Sequence, residues 1–215
     1  MHDGTLVRVN KYSKKIKELT IVKRISVEYP LLCQDIVAKM LSKVAETLPN
    51  HLQLQVDSAY RTRKTQEILW SVRKGIIGDL VYNPQNGTPP HCTGGAVDAA
   101  LLDKGGRELN LSEPFQKYYN EPQLISNKIT ARAQELRLLL NKTMLDAGFA
   151  PHPREYWHFS YGDRMWAEYY RKDLIYHELD IPEAMYHRHY KILWFKLLRH
   201  VWKFMNKYLR IHTNY

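Results

Sequence analysis

Cysteine and long apolar runs are the two scarce features of this 215-residue chain. Cys33 and Cys92 cannot make a disulfide framework and are too few for an all-thiolate zinc site. No stretch approaches the roughly 18 uninterrupted apolar residues of a membrane span. Residues Met1 to Lys17 are polar and basic and lack the apolar core of a secretory signal, so a reducing, cytoplasmic setting is expected. Internal repeats and low-complexity segments are also missing. Acidic residues are the scarcer charge, 22 against 32 Lys and Arg, for a formal net charge of +10. That balance suits an anionic partner, but no helix-turn-helix, zinc-finger or RNA-binding signature accompanies it, so nucleic acid is not the expected partner. What remains is ordinary globular composition, 44% apolar and 25% charged, enough for one substantial domain with an appendage.

Periodicity places the elements. Leu32, Ile36, Val37, Met40, Leu41, Val44, Ala45 and Leu48 recur at helical spacing, and Pro49-Asn50 ends that helix. His51 to Ala59 alternates like a half-buried strand. Thr62 to Lys74 reads as a helix capped by Thr62 or Thr65. Gly75 to Pro90 is loop-like, and Gly95 to Leu102 is strand-like. Asp103-Lys104-Gly105-Gly106 turns that strand into a hairpin. Asn127 to Ala147 is a long helix closed by Gly148, and an aromatic strand follows within Phe149 to Tyr161. From Asp163 the pattern is helical again. The tail from Glu183 carries seven cations against one acid. Lys196, Arg199, Lys203, Lys207 and Arg210 share one helical face, with Trp194, Leu197, Leu198, Val201, Met205 and Leu209 opposite. Such a helix docks on the domain, pairs with a second subunit, lies on an anionic membrane surface, or meets another anionic partner.

Three places carry chemistry. In His91-Cys92-Thr93-Gly94-Gly95-Ala96-Val97-Asp98, two glycines allow a bend that brings an imidazole and a carboxylate toward one ion. In Glu155-Tyr156-Trp157-His158, His158 is a third ligand and Glu155 a free carboxylate, provided the strand bends, because regular alternation puts them on opposite faces. In Ser58-Ala59-Tyr60-Arg61, an arginine at a strand end offers a charged fork to an oxyanion. Taken singly, each has a stronger bland reading: a structural histidine at a turn, an aromatic core strand, and an arginine in a surface salt bridge.

Together, His91-x-x-Gly94-x-Ala96-x-Asp98, Glu155-x-Trp157-His158 and the upstream Tyr60-Arg61 resemble the zinc D-Ala-D-Ala peptidases. The likeness is nearest to the D-alanyl-D-alanine dipeptidases of the vancomycin-resistance type and runs from about residue 31 to about residue 167. It implies an α+β fold of the hedgehog/D-Ala-D-Ala peptidase kind, an antiparallel sheet carrying the zinc site with helices around it. It implies one Zn²⁺ held by His91, Asp98 and His158, Glu155 as general base and acid, and Arg61 at the oxyanion. The substrate implied is a small peptide, D-Ala-D-Ala or a peptidoglycan stem. Residues 1–170 are then the peptidase domain. Residues 171–215 are a helical extension, through which self-association or peripheral membrane contact would run.

Two positions depart from the family pattern. Pro89 stands where the dipeptidases have Ser, and Gln116 stands where they carry an acid for the substrate's ammonium. A neutral amide cannot pair with an ammonium as a carboxylate does. Either Glu113 substitutes, or the substrate lacks a free amine, as for a D,D-carboxypeptidase acting on longer stems. A zinc fold retained only for binding is a further alternative, against which the joint presence of Glu155 and Arg61 speaks. Cys92 reads as a soft fourth ligand, a redox-sensitive thiol or a small packed residue.

Overall fold

The computed structural model describes residues 5–18, 31–116, 118–179 and 181. In chain order the elements are β1 (Leu6–Arg8), β2 (Ile16–Glu18), β3 (Leu32–Gln34), α1 (Asp35–Thr47), β4 (Leu52–Ser58), α2 (Arg63–Ile77), β5 (Ala96–Asp103), α3 (Ala131–Asp146), β6 (Ala150–His152), β7 (Glu155–Ser160) and α4 (Arg164–Tyr170). The main sheet has the order β2-β4-β5-β7-β6, and β1 pairs with β3 in a separate ribbon. Every pairing of the main sheet is antiparallel except β2 with β4. That parallel edge departs from the all-antiparallel expectation. Between β2 and β4 lies α1, and a crossover through a helix returns the chain in the same direction.

Helix α1 buries Val37, Met40, Leu41 and Val44 as its spacing predicts. It begins later than the apolar pattern does, because residues 32–34 pair with β1 and the Gln34 N–H donates to the Gly94 carbonyl. Pairing outweighed local propensity there. Helix α2 is capped by Thr62, whose hydroxyl accepts from the Thr65 N–H. Helix α3 starts at Ala131, not near Asn127, since the Thr130 hydroxyl accepts from the Ala133 N–H. Helices α1 and α3 pack on each other and on the sheet. Their apolar residues meet Leu54 and Val56 of β4, Val97, Ala99 and Leu101 of β5, and Phe159 of β7 in one core.

The hairpin after β5 is looser than expected. Beyond the turn it keeps a bridge between Leu102 and Glu108 and a bond from the Leu109 N–H to the Leu101 carbonyl. After α4 the chain is extended. The Ile175 and Tyr176 amides both donate to the Gly162 carbonyl, and the Leu179 amide donates to the Cys92 carbonyl. Arg63 and Glu178 form an ion pair beside this segment. These residues belong to one unit, residues 1–19 with 30–179; the other unit comprises residues 20–29 with 180–215. The basic amphipathic helix read from Glu183 onward lies outside the described residues. Among the described residues, no helix is long and apolar enough to cross a membrane.

The turn before β5 fixes the site and has little tolerance. Gly94 is left-handed, with φ of 72°. Gly95 passes so close to β7's end that an added Cβ would lie 2.3 Å from the Tyr161 carbonyl oxygen, which is fixed backbone. Gly95→Ala is therefore expected to cost about 2 kcal/mol or more, read as a lowered midpoint in urea unfolding. Gly75→Ala, within α2 and with open space for a Cβ, is the control, expected to raise that midpoint.

Candidate active site

Three short-range devices aim three donor atoms at one point. His91 lies in a 3-10 turn, Pro90–Thr93, whose backbone is held by bonds from the Arg61 and Gly94 amides to the His91 carbonyl. Its Nδ1 lies 2.8 Å from the Ala59 carbonyl oxygen, an acceptor, so Nδ1 carries the proton and Nε2 offers a lone pair. Asp98 stands in the middle strand β5, opposite His158 of β7. His158 turns Nε2 toward the Ser160 hydroxyl, 3.4 Å away, and Nδ1 toward Asp98 Oδ1, 3.0 Å away. His91 Nε2 reaches the same Oδ1 at 3.4 Å. One ligand atom from each of His91, Asp98 and His158 thus lies within 4.8 Å of the others. Two imidazole nitrogens and a carboxylate oxygen are a donor set suited to a divalent transition metal with a position left open. Their outer atoms are held by Ala59 and Ser160, as metal-binding histidines require.

Charge follows the packing. Burial, with the Arg61 cation in support, pushes His91 down to about 4, so its ring is neutral near pH 7. For His158, burial again opposes the charged ring, but the Asp98 bond and charge outweigh it and hold His158 above its ordinary value. Burial likewise works against the Asp98 carboxylate, and His91 and His158 overcome it, keeping Asp98 well below the usual carboxylate range.

Arg61 reaches this cluster through a bulge. The β4–β5 register shifts between Val56 and Ser58, leaving Ser58 opposite Asp98. Arg61 Nη2 donates to Asp98 Oδ2 at 3.0 Å and to Ser58 Oγ at 2.8 Å, Nε donates to Ser58 Oγ, and Nη1 donates to Gln66 Oε1. These bonds use four of the five guanidinium N–H groups and fix the plane of the fork.

Glu155 lies beside a second irregularity, 4.0 Å from His152. Ala150 and Pro151 pair with Ser160 and Phe159, but His152 pairs with Glu155, a slip of three residues. An odd slip inverts the facing of a strand. Accordingly Tyr156 and Phe159, three apart, both enter the core, while the Glu155 carboxylate feels the charges of His158, Asp98 and Arg61. This is the bend that the sequence required. Burial pushes Glu155 up to about 7.

Gln116 and Glu113 are both exposed. The Glu113 carbonyl accepts from the Thr130 N–H, and its carboxylate lies 3.5 Å from the Thr130 hydroxyl at the start of α3. Among the described residues, no hydrogen bond or ion pair joins either side chain to the cluster. Cys92 is buried, its thiol pushed up to about 12 by burial, and it stands outside the convergent donor set.

Sequence reasoning missed several neighbours. His152 stacks edge-on against His158 at 5.5 Å and lies 4.0 Å from Glu155. Its signal was the tight Pro151-His152-Pro153-Arg154 hairpin, which folds it back toward β7. Gln66 escaped because a buried polar partner has no periodicity of its own.

The peptidase M15 family described as D-Ala-D-Ala dipeptidase matches residues 17–177, and the chain belongs to that family. A D-alanyl-D-alanine dipeptidase of Synechocystis sp. is 38% identical over 95 residues, 39% of this chain and 38% of that protein. One of Escherichia coli is 29% identical over 131 residues, 60% of this chain and 65% of that protein. The chain thus spans less than two thirds of the length of either relative.

The buried carboxyl sets a pH dependence in the metal-free protein. Between the ordinary 4.5 and about 7, folded Glu155 keeps a proton that the unfolded chain has lost. Stability from this group therefore falls as pH rises through that window. Metal-free Glu155→Gln should match the wild type near pH 4 and exceed it above pH 7 by up to about 3 kcal/mol, measured by urea unfolding in the presence of a chelator.

Proposed function

We propose that this chain is a zinc-dependent D,D-dipeptidase that hydrolyses D-Ala-D-Ala to two molecules of D-alanine. The observation that supports it is a pair of strand irregularities, one beside the Arg61 that bonds to Asp98 and one beside the Glu155 that feels the charges of His158, Asp98 and Arg61. A structural metal site needs neither group.

His91, Asp98 and His158 would hold the zinc, which would supply Lewis acidity to the scissile carbonyl and to a water molecule. Glu155 accepts the proton from that water as its oxygen attacks the carbonyl carbon. The same carboxyl then returns the proton to the amine nitrogen as the carbon–nitrogen bond breaks. A group near 7 is matched to both transfers at neutral pH, and a cation nearby would shift it toward the ionised form that accepts. Arg61 offers its remaining N–H to the carbonyl oxygen as negative charge develops there. Ser58 and Gln66 hold the fork in place beforehand, so little reorganisation accompanies the reaction.

A second reading, a D,D-carboxypeptidase acting on N-blocked or longer stems, draws on the placement of Glu113 and Gln116. Glu113 is engaged at the start of α3, and Gln116 bears no charge with which to hold an ammonium.

The zinc-loaded protein should release D-alanine from free D-Ala-D-Ala, with the rate falling by about 10³-fold or more in Glu155→Ala. Cleavage of N-acyl-D-Ala-D-Ala with the free dipeptide untouched would replace the first reading by the second. Failure to bind zinc, by metal analysis after dialysis, would remove both.

A further inference from the structure

The side chain of Arg137 on α3 is the largest that is fully buried, yet it plays no part in the chemistry above. No carboxylate lies in hydrogen-bonding contact with it among the described residues. Its Nε donates to the Leu111 carbonyl at 2.6 Å and its Nη1 to the Gln123 carbonyl at 2.5 Å. Its Nη2 donates to the Glu121 carbonyl at 2.8 Å and to Ser112 Oγ at 3.0 Å. One guanidinium therefore clamps both ends of the loop 111–123, the segment that carries Glu113 and Gln116. Its flat face lies 3.9 Å from the centre of the Tyr156 ring. Ser112 Oγ is also 3.2 Å from the Tyr156 hydroxyl, and the Tyr156 N–H donates to the Pro122 carbonyl.

We infer that Arg137 is a positioning residue: by locking the loop 111–123 against Tyr156, it fixes the three-residue slip in β7 and with it the place of Glu155. A buried cation held only by neutral acceptors and a ring is costly, and an apolar side chain of similar size would fill the same volume. The planar fork does what such a side chain cannot. It joins four acceptors on two stretches of chain in one rigid plane and offers that plane to an aromatic face. Tyr156 is the covalent neighbour of Glu155, so loosening the ring frees the carboxylate. Lysine brings a charge to the same place but no fork.

The inference rests on the reading of Glu155 as the base, and the test separates the two. Hydrogen exchange of the metal-loaded full chain, wild type against Arg137→Lys and Arg137→Met, reads the anchoring without substrate. Protection is expected to fall about tenfold or more at residues 111–123 and at the Tyr156 amide, with β4 and β5 unchanged and zinc still bound one per chain. In D-Ala-D-Ala hydrolysis, kcat is expected to fall about ten- to a hundredfold with KM within about threefold, as for misplacement of a group used in the transition state. Ser112→Ala, which removes only the hydroxyl shared by Arg137 and Tyr156, should shift both readouts in the same direction by less. It carries the test if Arg137→Met fails to fold. Unchanged protection at Tyr156, an unchanged kcat, or a loss confined to KM would overturn the inference. A wild type that hydrolyses neither D-Ala-D-Ala nor its N-acyl form would overturn the role of Glu155 and leave the anchoring to be decided by exchange alone.

Discussion

The pairing of β5 with its two neighbours is the constraint on which everything else depends. Asp98 sits in the central strand, so β4 on one side and β7 on the other decide what faces its carboxylate. Opposite it stand Ser58 and His158. A slip of one residue in either ladder would turn a ligand into the core and a core residue toward the ligands. The Gly94-Gly95 turn sets where β5 begins, and the contact of Gly95 with the Tyr161 carbonyl leaves room for nothing larger. The apolar face of β5, packed on α3 within the common core, holds the register that its polar face uses.

Chemistry enters where that regularity breaks. The bulge at Asp57 accompanies the return of Arg61 to Asp98, and the slip in β7 falls between Glu155 and His158. Both irregularities are held by side chains beyond the cluster: Ser58 and Gln66 for the first, Ser112, Tyr156 and Arg137 for the second. A sheet interrupted at two points, with each interruption braced, places a carboxyl and a cation beside the central strand while the core stays intact.

Much of the fold and of the cluster was legible beforehand. The helices follow from apolar spacing, and His91, Asp98, Glu155 and His158 follow from motifs whose order is more specific than any one of them. Short strands were not legible: three residues such as Leu32–Gln34 carry no period, and a partner far along the chain decides their state. Nor was the parallel edge strand, which depends on the path of the chain and not on local preference. Nothing in the local pattern marks Arg137, because burial of a polar residue is visible only once a loop closes over it.

The sequence by itself determined which groups are present and which can share a site: three potential metal donors, a carboxylate three residues before the last of them, and an arginine just beyond a strand. Those are properties of residue type and short spacing. Only the tertiary structure decided the irregular register at Glu155, the partners that lock Arg61, and the absence of any bond from Gln116 or Glu113 to the His91–Asp98–His158 cluster among the described residues. Those depend on register across strands, which is set by the packing of apolar side chains far apart in the chain.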